Sequence, residues 1–178
     1  MVFGNPKQRT VDYPLQSPPL NWEQRPKISI TVTSQATRPI TIFTWPTIFH
    51  LSLAQSRDNF TCLDLTTESA MRLSTTRGPQ RQPFSRTKGH SDEQYFCTLD
   101  PGVPVIFSGG LRVASSVAGG LQAGHRYRYG VQEGEQVQWW RWGRKDGVLA
   151  PSGQIEDLDD PDGEPIMISA EPVEFEVK

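Results

Sequence analysis

Charge of one sign is what this chain lacks most: 18 Lys and Arg stand against 20 Asp and Glu in 178 residues, a formal net charge of −2. A surface so balanced raises no field able to gather phosphate backbones or anionic lipid, so nucleic acid and membrane surfaces are not expected as partners. Long apolar runs are missing as well. A helix needs about 18–20 apolar residues to cross a bilayer, and even the stretch from Ile40 to Leu53 is broken by Thr, Pro and His. Met1 to Leu20 carries Lys7, Arg9 and Asp12 among prolines where an export signal has its apolar middle, so the expected location is the cytoplasm. With only two cysteines, Cys62 and Cys97, each in an apolar-alternating run, that compartment favours buried thiols over a disulfide. The acceptor triplet Asn59-Phe60-Thr61 then reads as chance.

Catalytic motifs are equally scarce. His50, His90 and His125 are far apart and none has a second ligand at metal spacing. There is no Gly-x-Ser-x-Gly, and neither cysteine has a basic or histidine neighbour to lower its pKa. Gly109-Gly110 and Gly119-Gly120 lack the lysine and following helix of a phosphate loop. No metal and no cofactor are expected.

Turn formers and aromatics are plentiful, with 15 Gly, 15 Pro and five Trp. That balance disfavours helix and tilts the class toward β. Residues 1–26, with five prolines and little periodicity, read as an extended Pro-rich arm, and residues 27–178 as a single domain. Ile28, Ile30 and Val32 alternate with Ser29, Thr31 and Thr33, the mark of a half-buried strand. Further strands are expected at Pro39–Thr44, Ile48–Leu53, Phe60–Leu65, near Phe84, at Gln94–Leu99, Val103–Phe107 and Leu111–Val117, around Tyr127 and Tyr129, and at Val137–Trp142, Pro165–Ser169 and Val173–Val177. About ten short strands between turn signals, without an amphipathic helix, predict an all-β antiparallel sandwich, with a β-barrel as the alternative.

Pro101-Gly102, a strand, and then Leu121-Gln122-Ala123-Gly124-His125-Arg126-Tyr127 follow one another over Leu99–Tyr129. This run, under a fifth of the chain, resembles the later strands of immunoglobulin-like and fibronectin-like modules. It is also similar to a run in the N-terminal β modules of some secreted fungal metallopeptidases, but there is no His-Glu-x-x-His here to carry peptidase activity across. The resemblance implies an immunoglobulin-like sandwich with Tyr127 packing or bonding at a sheet corner.

Two stretches stand out as candidate sites. Glu156, Asp157, Asp159, Asp160, Asp162 and Glu164 cluster around Pro161 and Gly163, where the order of an EF-hand loop is not met and a solvated turn is the plainer reading. The other is Val137-Gln138-Trp139-Trp140-Arg141-Trp142-Gly143-Arg144-Lys145. Strand alternation puts Val137, Trp139 and Arg141 on one face and Gln138, Trp140 and Trp142 on the other. One set must then be covered by the arm or loops, or meet a ligand. The expectation is a non-catalytic binding or interaction module that takes a protein or a small apolar or planar ligand at Trp140, Trp142, Arg144, Tyr129 and His125. The rival is a small cofactor-independent isomerase or cyclase working on an apolar metabolite in a Trp- and Tyr-lined pocket, with His125 moving a proton. A homodimer formed through a sheet edge is a third expectation.

Overall fold

A computed structural model describes residues 27–71, 83–112, 120–152 and 160–177. The Pro-rich stretch 1–26 and most of the expected Leu111–Val117 strand lie outside the described residues, as do Glu156, Asp157 and Asp159. What is described is all-β, with eleven strands in antiparallel sheets, two short α-helices and a 3₁₀ turn at Ser91–Tyr95. The sheets do not close on themselves, so the fold is sandwich-like and the barrel alternative falls away. No helix among the described residues is long and apolar enough to cross a membrane.

The strands assemble as their patterns dictate. β1 (Lys27–Thr33) pairs with β6 (Pro104–Gly110) in a two-stranded ribbon. β2 (Ile40–Phe43) lies between β5 (Phe96–Leu99) and β9 (Trp140–Trp142), and all four of its residues are buried. Its one polar member, Thr41, satisfies its hydroxyl by donating to the Gly143 carbonyl at 2.8 Å. A third sheet runs β11 (Val173–Glu176), β7 (Arg126–Val131), β3 (Phe60–Asp64) and β4 (Ser69–Ala70). The last pairs β10 (Ile166–Met167) with β8 (Gln136–Val137). On β7, Tyr127 and Tyr129 face inward, while Arg126 and Arg128 face out to Glu174 of β11.

Two apolar clusters result. The larger holds Ile28, Val32, Ile40, Ile42, Cys62, Tyr127, Tyr129, Val137 and Trp140, and the smaller holds Phe43, Phe96, Trp139, Val148 and Leu149. Phe84, expected on a short strand, lies in a strandless segment and stacks on Phe43 at 3.9 Å between centroids. Ile48–Leu53, expected as a strand, instead leads into α1 (Leu51–Ser56). Its apolar spacing suits either period, and Ala54 and Gln55 extend it in the helical sense, burying Leu51, Ala54 and Gln55. A second helix, α2 (Lys145–Val148), follows β9.

Candidate functional site

The tryptophan-rich stretch is not one continuous strand. The chain leaves β8 at Val137 and joins the β2 sheet with β9, which breaks the alternation at Gln138 and Trp139. Val137 therefore sits in the larger cluster and Trp139 in the smaller, although alternation had put them on one face. Trp139 and Trp140 are each only 6% exposed. Trp140 and Trp142 do share a face, as an edge-on pair 5.2 Å apart.

The acidic turn is what covers them. Trp140 donates its indole N–H to the Glu164 carbonyl at 2.9 Å, and the Trp142 amide donates to an Asp162 carboxylate oxygen at 2.8 Å. Arg141 reaches the Asp160 carbonyl at 3.1 Å. A Cβ on Gly163 would lie 2.9 Å from Cζ2 of Trp140, so the turn closes on the ring where only glycine fits. Two features singled out separately in the sequence are thus one packed unit. Trp142 stays half-buried, with the Arg38 guanidinium 4.2 Å from its ring centre. Arg144 is exposed and pairs with Asp100 at 3.0 Å.

Tyr129 and His125 lie elsewhere, at β7. The Tyr129 hydroxyl is buried beside Cys62, its cross-strand partner, with no hydrogen-bond partner among the described residues. Burial pushes its pKa up, and burial likewise raises the Cys62 thiol to about 11. Cys62 and Cys97 are both free. His125 Nδ1 sits 2.8 Å from the Asp64 carboxylate. The Asp64 carboxyl is buried, which opposes ionisation, yet hydrogen bonds from His125 and from the Thr66 and Thr67 amides hold it at about 2. The result is an imidazole oriented by an ionised carboxylate. One turn away, the Tyr127 hydroxyl accepts from the Gln122 amide at 2.8 Å, closing a corner.

A group that sequence reasoning missed lies at the other end of β2. Trp45, His50 and Tyr95 pack with ring centroids 4.8, 5.3 and 5.7 Å apart, and all three are half-buried. The Arg57 guanidinium lies 5.9 Å from the Trp45 ring centre. His50 occupies the N-cap of α1, where Ser, Thr or Asp would bond the helix amides, but its side chain makes no cap bond. The ring leans on Trp45 and Tyr95 instead, and its Nδ1 is buried without a hydrogen-bond partner among the described residues. Burial lowers the His50 pKa and keeps the ring neutral at pH 7. Nothing local in the sequence announces this platform, because Trp45 and His50, on a loop and the helix start that follows it, meet a Tyr95 that lies 45 residues beyond His50 on a 3₁₀ turn.

Among the described residues no group of three or more His, Cys, Asp or Glu is arranged to hold a metal ion. No protein-family model matches the chain, and neither a curated protein nor a solved structure proved similar to it.

Proposed function

We propose that this domain is a non-catalytic binding module whose recognition element is the Trp45–His50–Tyr95 platform, taking a small planar ligand or a flat side chain of a protein partner. The observation that carries the reading is the gathering of three half-buried rings about His50, whose Nδ1 has no hydrogen-bond partner among the described residues. Nδ1 is enclosed in the unliganded domain, so a ligand's hydrogen bond reaches it only when the imidazole turns toward the open ring faces, and that bond would recover part of the about 1–3 kcal/mol that an unsatisfied buried polar atom costs. The rings offer faces for stacking and Arg57 adds positive charge at the rim. The Trp139–Trp142 stretch is less able to serve, since Trp139 and Trp140 are enclosed and Trp142 already carries Arg38. An immunoglobulin-like character of the sandwich belongs to the same proposal and is supported by the corner at Tyr127.

A second reading, a cofactor-independent enzyme, is favoured by the His125–Asp64 pair, in which a fixed carboxylate orients a partly exposed base. One experiment separates the two. A screen of planar heteroaromatic fragments, followed by NMR, is expected to shift the Trp45 indole N–H and the His50 ring, and the shifts are expected to vanish in His50→Phe. Fragments that perturb His125 and leave Trp45 unmoved would favour the enzyme, and a screen in which neither site responds would sink the platform.

A further inference from the structure

Rings from two distant stretches of chain stand together only if something ties those stretches, and two buried threonines lie at the join. Thr44 follows β2, and Tyr95 precedes β5 at the end of the 3₁₀ turn. The Tyr95 carbonyl accepts the Thr44 amide at 2.8 Å, which carries the β2–β5 ladder one residue further. It also accepts the Thr44 hydroxyl at 2.8 Å. The Thr44 carbonyl is met in the same way by Thr47, through the amide at 2.9 Å and the hydroxyl at 2.7 Å. Thr47 then leads the chain into α1: its carbonyl accepts the His50 amide at 3.1 Å, and its Oγ1 accepts the Phe49 amide at 3.3 Å. The main chain on either side of Trp45, and that of His50 and Tyr95, is thereby joined into one frame, on which the rings turn about their own side-chain bonds.

The two hydroxyls are not equivalent. A bond from Thr47 back to the residue three before it is the local kind that threonines in turns commonly make. The Thr44 bond spans 51 residues of sequence and joins two elements. Its carbonyl acceptor already has the Thr44 amide, so the hydroxyl leaves no orphan group if it is lost; what it adds is a second fixed distance to Tyr95. We infer that Thr44 is the positioning residue of the platform, its hydroxyl setting how closely Tyr95 approaches Trp45 and His50, so that the three rings are in place before any ligand arrives. This rests on the reading of those rings as the recognition element. Valine has the same shape, but a methyl group comes no nearer to a carbonyl oxygen than about 3.3 Å, so it pushes Tyr95 away by about half an ångström. The Tyr95 ring then withdraws from His50, whose centroid is 5.7 Å away, and from Trp45 at 5.3 Å.

NMR of the unliganded chain tests this. The wild type is expected to show nuclear Overhauser contacts from the Tyr95 ring to both other rings, and a His50 titration below its ordinary 6.5, since burial disfavours the charged imidazole. Thr44→Val is expected to weaken the Tyr95 contacts, keep those between Trp45 and His50, and move the His50 midpoint up toward 6.5. Thr44→Ser retains the hydroxyl and is expected to match the wild type. Thr41→Val controls for lost stability alone: it removes another buried hydroxyl from β2, the one donated to Gly143, and is expected to lower the urea midpoint without moving the rings. Should valine at position 44 prevent folding, Thr44→Ala removes the hydroxyl without a clash and carries the same expectations. A wild type without the Tyr95 contacts overturns the inference. So do wild-type contacts and midpoint in the folded variant lacking the hydroxyl, a serine variant that behaves like it, or a Thr41→Val that moves the rings as far. No ligand enters these measurements, so a fragment screen to which the platform does not respond strikes the recognition reading and leaves the role of Thr44 standing.

Discussion

Asp64 sits on the buried side of β3, where desolvation works against its charge, and hydrogen bonds from three residues, His125, Thr66 and Thr67, more than offset that cost. Its folded pKa of about 2 lies below the ordinary value of 3.8, so its contribution to stability is complete above 3.8 and is lost as pH falls through about 2. Urea midpoints for wild type and Asp64→Asn are therefore expected to differ steadily above that window and to converge across it. A gap that is constant down to the lower limit would mean the carboxylate is not what ties the β3–β4 turn to His125. Gly163 makes a second residue-scale case, with the opposite origin. Gly163→Ala drives a methyl into Trp140 and is expected to destabilise by about 1–3 kcal/mol. Gly147→Ala in α2 meets open space and is expected to stabilise by about 0.5–1 kcal/mol. Opposite signs in denaturant melts are the check, and equal effects would show that the acidic turn does not close on the ring.

The elements legible in the sequence are those whose side chains alternate cleanly between water and core. β1, β7 and β11 were readable because one face of each is polar, and β3 and the start of β6 because turn residues bound them. α1 was not, since a six-residue helix beginning Leu-Ser-Leu offers too short a window to separate a period of 3.6 from one of 2. The break between β8 and β9 was hidden for a different reason. Alternation assumes one sheet, and here the chain changes sheets between Val137 and Trp140, which sends adjacent tryptophans into separate clusters. The acidic turn and the tryptophans were each conspicuous, but their contact spans about 20 residues and depends on a glycine whose importance is steric. The Trp45 platform was illegible on the same ground, since Tyr95 reaches Trp45 and His50 from at least 45 residues away and leaves no spacing to read.

At the scale of the whole molecule the question is whether two apolar clusters make one cooperative unit. β2 is the physical link: Ile40 and Ile42 belong to the larger cluster and Phe43 to the smaller, and the strand is hydrogen-bonded on both sides. Opening either cluster alone would expose one part of a strand whose four residues are all buried, along with backbone groups that have partners only in the folded sheet. Unfolding is therefore expected to be all-or-none. Each cluster carries its own probe. Cys62 is buried in the larger, and a thiol raised to about 11 reacts slowly until it is exposed. Trp139 is buried in the smaller, and its emission is isolated by difference from Trp139→Phe. In a Cys97→Ala background, the urea dependence of Cys62 labelling and of Trp139 emission is expected to share one midpoint. If Trp139 emission changes at lower urea while Cys62 stays protected, the smaller cluster melts on its own. The Trp45 platform, whose Trp45 and Tyr95 rings pack on that smaller cluster, would then be a separately unfolding region.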